Sequence, residues 1–267
     1  MIRDITIGQY YKADSVIHRL DPRVKLMGTL IFIISLFMGM NIWIYAVVTV
    51  ALAVVIKMSR IPLKFMVRGL KSIVILIIIS AVFNLFLTPG AVLIQIWKLT
   101  ITYQGLKMAI FMVVRLIYLI VGTSLMTLTT TPNNLTDGLE KGLGFLKVIK
   151  VPVHEIAMMM SIALRFIPIL IEETDKIMKA QMARGADFEN GNLIKRAKAM
   201  VPILVPLFVS AFRRANELAM AMEARCYHGS EGRTKMKPLK YEKRDRIAYI
   251  SMVLYLGVII IVKIIAA

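Results

Sequence analysis

The chain has 267 residues, 58% of them hydrophobic, and its 34 Lys and Arg against 16 Asp and Glu leave a formal charge of +18. Long uncharged runs at that apolar content exclude an ordinary soluble domain and mark a membrane protein. The basic residues flank the apolar runs, which is positive-inside anchoring and not the footprint of a nucleic-acid binder; the lone Cys226 excludes an internal disulfide and a Cys-only metal site.

No signal peptide is expected, because the first 25 residues carry Arg3, Lys12, Arg19, Arg23 and Lys25 with no apolar core ahead of them. Residues 26–56 hold no charge. As one helix they would reach roughly 46 Å, too long for a ~30 Å hydrocarbon core unless steeply tilted. Gly39 and Asn41 near the middle offer a turn. Basic clusters stand on both flanks, and both stay inside only if the run folds back. Two short spans are therefore expected. Pro62 opens residues 63–71, an amphipathic helix on the cytoplasmic side. Residues 72–87 form the third span, ended by Thr88-Pro89-Gly90, and the outer segment to Gly105 carries only Lys98. Residues 108–128 form the fourth, broken only by Arg115, and residues 247–262 the fifth. All Lys and Arg but Lys98, Lys107, Arg115 and Lys263 are then cytoplasmic.

Between the fourth and fifth spans lies a long basic region. Val153, Ile156, Ala157, Met160, Leu164, Ile167 and Ile171 follow helical spacing. Residues 199–212 are also apolar but short for a crossing, and they hold Pro202 and Pro206. If both stretches crossed, residues 172–198 would lie outside with six Lys and Arg, against the positive-inside rule. Two long helices at the inner face of the membrane are expected instead. The expected organisation is 1–131 with four transmembrane helices, 132–246 as a cytoplasmic coupling-helix region, and 247–267 with the fifth transmembrane helix.

Each long helix ends on a similar motif: Gln181-Met182-Ala183-Arg184-Gly185 and Met222-Glu223-Ala224-Arg225-Cys226. Arg at a helix C-terminus is favoured by the macrodipole. Its planar fork can also grip a partner's carboxylate or carbonyl, and Gly185 suits the left-handed position after the helix. Simple capping accounts for one such Arg as well as docking does; two in like contexts point to docking, and so to a coupling subunit rather than an enzyme. Methionines, among them Met158, Met159, Met160, Met178 and Met182, crowd the same helices. Such side chains make adaptable contact surfaces, or ordinary helix packing.

Other chemistry is missing from the sequence. There is no G-x-x-x-x-G-K-[ST], no G-x-S-x-G and no H-E-x-x-H. His18, His154 and His228 are far apart and outside the spans, so no metal site is expected. The spans hold no Asp or Glu, which counts against a proton- or sodium-driven carrier. Arg115 marks either an interface or cavity, or a buried side chain paired with backbone carbonyls.

Several stretches taken together resemble one family. They are Asp14-Ser15-x-x-His18-Arg19-Leu20-Asp21-Pro22-Arg23-x-Lys25, Thr129-Thr130-x-Pro132, Leu164-Arg165-Phe166-x-Pro168, Ala180-Gln181-x-Ala183-Arg184-Gly185, and the segment from Phe212-Arg213 through Glu217-Leu218-Ala219 to Glu223-Ala224-Arg225. The chain resembles the transmembrane T component of energy-coupling factor (ECF) transporters, a family that includes the cobalt and biotin importer T subunits. The second motif departs from the family's Ala-Arg-Gly by reading Ala-Arg-Cys, which keeps the Arg and bears only on the helix ending.

The resemblance implies an all-α membrane protein and a non-catalytic scaffold in a multi-pass arrangement in the cell membrane, N-terminus cytoplasmic and C-terminus outside. Its implied partners are two cytoplasmic ABC ATPases, a small membrane S component that captures a vitamin or metal ion, and the lipid bilayer. The implied ATPase contacts are Ala183, Arg184, Gly185, Ala224, Arg225 and Cys226. Met158, Met159, Met160, Leu164, Met178 and Met182 are expected to face the S component. No cofactor, metal, nucleic acid or direct small-molecule site is expected. A secondary carrier or channel is the alternative reading.

Overall fold

The structure, a computed structural model, describes residues 10–71, 73–96, 99–186, 188, 192–229, 236 and 238–265; the expectations placed on Arg3, Ser72 and Lys98 lie outside them. The chain divides into two compact units, one of Gly8–Gly138 with Leu239–Ala267 and one centred on Leu139–Pro238.

The first unit is a helical bundle. The uncharged run does fold back: α1 (Pro22–Phe37) and α2 (Ile42–Ser59) are separate helices. Asn41 makes the restart, its side chain accepting from the Trp43 amide at 3.2 Å, the usual work of an N-cap. The amphipathic α3 (Leu63–Lys71) and apolar α4 (Val74–Leu87) follow, bent by 63° across their break. The outer segment, left unassigned by the sequence, is an antiparallel hairpin of β1 (Val92–Ile96) and β2 (Leu99–Thr102). Thr102 then caps α5 (Tyr103–Thr129) by accepting from the Gly105 amide, and its own hydroxyl donates to the Thr88 carbonyl. α6 (Pro132–Gly142) turns off after Thr130, and α9 (Lys243–Ile265) returns to the bundle.

Two apolar clusters hold these helices. One joins Leu36, Ile44, Tyr45, Val48 and Ile259; the other joins Ile61, Met66, Leu125 and Leu128. α1 and α5 approach so closely that a Cβ at Gly122 would collide with the Phe32 ring. Arg115 is 8% exposed; its Nε donates to the Tyr45 hydroxyl at 3.0 Å and its guanidinium lies 5.0 Å from the Phe37 ring centroid. Its partners are thus a phenol and an aromatic face, where backbone carbonyls were the simplest expectation.

Among the described residues, four helices are long and apolar enough to cross a membrane, or up to five if the bent α3–α4 pair counts as one span. They are α2, α5, α9 and α7 (Val153–Ala183). This overlaps with the five spans read from the sequence without matching them one for one. α1 and α4 are shorter, at 16 and 14 residues, while α7 has the length and composition of a span. An all-α, multi-pass membrane protein is the common result.

In the second unit a short 3-10 helix (Gly144–Ile149) leads into α7, and α8 (Leu193–Glu223) follows. Each has 31 residues and continues through its prolines, Pro168 in α7 and Pro202 and Pro206 in α8. Glu173 meets Ser210 and Arg214, whereas Met158 lines the same cavity as Arg225, so the two helices run antiparallel.

Candidate functional site: two matched helix ends and the cavity beside one of them

The hydrogen bonds at the two motifs are the same. After α7, the Gly185 amide donates to the Met182 carbonyl and the Ala186 amide to the Gln181 carbonyl. After α8, the Cys226 amide donates to Glu223 and the Tyr227 amide to Met222. Both are Schellman endings, in which a left-handed residue reverses the chain and two otherwise orphaned carbonyls are satisfied. The left-handed residue is Gly185 at φ +87° in one and Cys226 at φ +54° in the other. The Ala-Arg-Cys departure therefore leaves the ending intact, with Cys226 in a conformation that favours glycine.

Arg184 and Arg225 hold equivalent places, each one residue before the reversal. Both are exposed. Among the described residues, neither guanidinium forms an ion pair, and neither bonds to the carbonyls of its own helix. Direct capping of the last carbonyls by these guanidinium groups is thus not seen among the described residues, while a favourable placement at the negative end of the helix dipole holds for both.

Beside Arg225 lies a cavity of about 720 Å³ between α7 and α8. Ile162, Phe166, Leu218 and Met222 give it an apolar floor, and Arg165, Arg225 and His228 a basic edge; no carboxylate lines it. Chemically it suits an anionic group carried on an apolar segment. Farther along the crossing, Glu173 accepts from the Ser210 hydroxyl at 2.5 Å and from Arg214 at 3.1 Å. This clasp was not visible in the sequence, since its members are 37 and 41 positions apart. Arg165 and Phe166 had been noticed only as part of a motif; their cavity role needed the antiparallel register.

The methionine set is divided. By helical spacing Met160, Leu164, Met178 and Met182 fall within one narrow row of α7, and of these Met160 and Met182 are 41% and 49% exposed. Met158 instead lines the cavity against α8. Met159, 58% exposed, lies on another side of the helix. Among the described residues no group of three His, Cys, Asp or Glu is placed to hold a metal ion.

The motif that precedes and opens α1 proves to be a knot. His18 Nε2 donates to the Tyr11 carbonyl at 3.0 Å, which leaves Nδ1 to accept from the Ser15 hydroxyl at 2.7 Å. Asp21 caps α1 and pairs with Arg23, whose guanidinium stacks 3.8 Å from the Tyr241 ring centroid. Buried Asp245 accepts from the amides of Asp21 and Glu242, joining α1 to α9. Lys25 Nζ donates to the carbonyls of His18 and Thr129, joining α1 to the end of α5. The motif thus fastens three helix ends, while its Arg19–Asp14 ion pair stays exposed.

Comparison with known proteins agrees with this architecture. Residues 13–236 match the model of the CbiQ family, described as cobalt transport protein. A relative from Clostridium kluyveri is 58% identical over 251 residues, 93% of each chain. One from Bacillus subtilis is 47% identical over 254 residues, 95% of this chain and 96% of its own. One from Lactococcus lactis subsp. cremoris is 42% identical over 254 residues, with the same coverage. All three are named energy-coupling factor transporter transmembrane protein EcfT. With the family match spanning most of the chain and the relatives aligned almost end to end, the chain belongs to the CbiQ family and is the transmembrane component of an energy-coupling factor transporter.

Proposed function

We propose that the chain is the coupling scaffold of an ATP-driven importer, linking two cytoplasmic ABC ATPases to a membrane S component that captures a vitamin or metal ion. The observation that carries this reading is the matched pair of helix ends. Two exposed arginines in one backbone geometry, without a side-chain partner among the described residues, are prepared for a partner outside the chain. Ala183, Arg184 and Gly185 would meet one ATPase, and Ala224, Arg225 and Cys226 the other. The row of Met160, Leu164, Met178 and Met182, with Met159 beside it, would face the S component; Met158 would act from the cavity.

The same reading makes residues 132–246 the coupling region between membrane parts 1–131 and 247–267. It also sets the orientation: N-terminus inside, α7 and α8 at the inner face, C-terminus outside. Of the two helices, α7 has both the length and the apolar composition of a span; the basic residues that follow it argue for the inner face. A reporter active only outside the cytoplasm should be silent when fused after Phe188 and active at the C-terminus. Activity after Phe188 would put the α7–α8 connection outside and end the docking proposal.

The decisive experiment is the double change Arg184→Ala, Arg225→Ala. Removing one partner of a desolvated charge pair costs ~2–5 kcal/mol, or tens- to thousands-fold in affinity. Each single variant should weaken one ATPase contact. The double variant should lose ATPase pull-down or substrate uptake while still inserting in the membrane. Lys should rescue only in part, since it keeps the charge without the planar fork. Normal assembly and uptake in the double variant would remove the case for docking at these motifs.

A further inference from the structure

Residues 22–136 contain no Asp or Glu. Within this stretch, the turn from α2 through α3 to α4 carries Lys57, Arg60, Lys64 and Lys71, all exposed. Among the described residues none of the four forms an ion pair. Arg60 lies near enough to Asp14 to lower its pKa, whereas Lys64 and Lys71 have no carboxylate paired with them among the described residues and call for an external counter-charge.

α3 shows where that counter-charge would lie. Its inner side is fastened to the bundle. Met66 is fully buried with Ile61, Leu125 and Leu128. A Cβ at Gly69 would stand 3.2 Å from Ser124 Oγ on α5, and the Phe65 ring lies 5.1 Å from that of Tyr11. The rest of the helix has no such cover. Leu63 and Val67, four residues apart, form one row and are 61% and 53% exposed. Lys64 and Lys71, seven residues apart, form a second row about a quarter turn away. An exposed apolar row beside a basic row is the pattern of a helix lying in the membrane interface, side chains of one row in the acyl region and of the other at headgroup level. The covalent context agrees, because α3 runs after a 63° bend into apolar α4.

We infer that α3 is a binding site for anionic phospholipid, with Leu63 and Val67 entering the acyl boundary and Lys64 and Lys71 holding the headgroup phosphate. Charge complementarity selects an anionic lipid: a zwitterionic headgroup offers the same phosphate but brings its own cation, so it leaves the net positive charge of the basic row unneutralised. This goes beyond the coupling role and does not depend on it. A charge near such a surface contributes enough to change affinity about fivefold, so two lysines together amount to about 30-fold.

The test uses the purified full chain in detergent, titrated with phosphatidylglycerol and with phosphatidylcholine of the same acyl chains. Retained lipid is counted by native mass spectrometry. The wild type should hold phosphatidylglycerol at least tenfold better. Lys64→Gln with Lys71→Gln should weaken phosphatidylglycerol about 30-fold and phosphatidylcholine far less, so that the preference is lost. Lys64→Arg with Lys71→Arg should keep the preference. If the Gln pair does not stay monodisperse, Lys64→Gln alone should still cost about fivefold. Equal retention of the two lipids by the wild type, or an undiminished preference in a folded Gln variant, would overturn the inference. So would glycerol phosphate binding as tightly as phosphatidylglycerol, which would leave the apolar row without a role. Loss of a protein partner from the Gln pair with lipid preference unchanged would reassign the surface to an acidic protein face and overturn it as well.

Discussion

The bundle and the α7–α8 pair use charged side chains in opposite ways. In the bundle, apart from the exposed lysines and arginine around α3, four charged side chains are turned inward and answered: Asp21, Lys25, Arg115 and Asp245 are buried and each has a named partner, some more than a hundred residues away in sequence. In the α7–α8 unit only Val153, Ala157 and Ile203 are buried hydrophobics among the described residues. One polar clasp crosses between its helices, while Arg184 and Arg225 point to solvent. Buried and satisfied polar groups specify one arrangement. A helix pair with little core of its own presents surface that a partner can complete. The difference separates a part whose buried polar groups fix its frame from a part whose surface is largely exposed, as the proposed docking requires.

The contrast breaks most easily at Lys25. Lys25→Ala would leave the carbonyls of His18 and Thr129 without their donor inside the knot. Unsatisfied buried acceptors cost about 1–3 kcal/mol each, so a total loss of about 3 kcal/mol is expected in thermal unfolding of the detergent-solubilised chain. A loss below about 1 kcal/mol would mean that water replaces the ammonium, and that this end of the bundle is less closed than its burial indicates.

At the clasp the same operation should do less. Glu173→Ala removes acceptors from Ser210 and Arg214 at a partly exposed position. A cost of about 1 kcal/mol is expected. The more telling readout is the distance between spin labels at Met159 and Met220, both exposed. A broadened distribution in Glu173→Ala would identify the clasp as what sets the crossing. An unchanged one would assign that role to the apolar contacts of Ile162, Phe166 and Leu218.

The helix endings allow a comparison of like with like. Cys226 holds a left-handed conformation that glycine adopts without penalty. Cys226→Gly should stabilise the end of α8 by up to about 1 kcal/mol, and Gly185→Ala should destabilise the end of α7 by a similar amount. Limited proteolysis after each motif would report both. Opposite signs are required; if both changes destabilise, the Cys226 side chain makes a contact that outweighs its backbone cost.

Much of this was legible in the sequence because the signals are local. The fold-back at Asn41, the amphipathic α3 and both helix endings follow from spacing, capping chemistry and charge placement, and the structure has them where those signals stand. The family followed from motifs taken jointly. What was not legible depends on which distant residues meet. Nothing near Lys25 announces Thr129, and nothing near Asp21 announces Asp245. The clasp at Glu173 and the cavity beside Arg225 exist only once the antiparallel register of α7 and α8 is set. The two long helices expected in this region are present, and they continue through Pro168, Pro202 and Pro206, each at the cost of a local backbone bond. The β-hairpin after α4 escaped notice because its strands are only five and four residues long.

The smallest expected effect lies in the strap before α1. Desolvation holds the His18 imidazole below its ordinary value of 6.5, and the nearby Lys25 charge acts in the same direction, while the bond to the Tyr11 carbonyl opposes them. The folded chain therefore keeps His18 neutral in a pH range where the unfolded chain protonates it. Between the lowered folded value and about 6.5 the unfolded state binds more protons, so stability rises with pH and is complete above that range. The geometry gives the same sign: a protonated Nδ1 can no longer accept from the Ser15 hydroxyl, and the two groups must rearrange. Thermal unfolding from pH 5 to 7.5 should show a shallow rise that His18→Asn removes. Ser15→Ala should lower stability most above pH 6.5, where the accepted bond exists. Identical slopes in wild type and His18→Asn would show that the strap's bond is indifferent to protonation, and that the knot rests on Asp21, Lys25 and Asp245 alone.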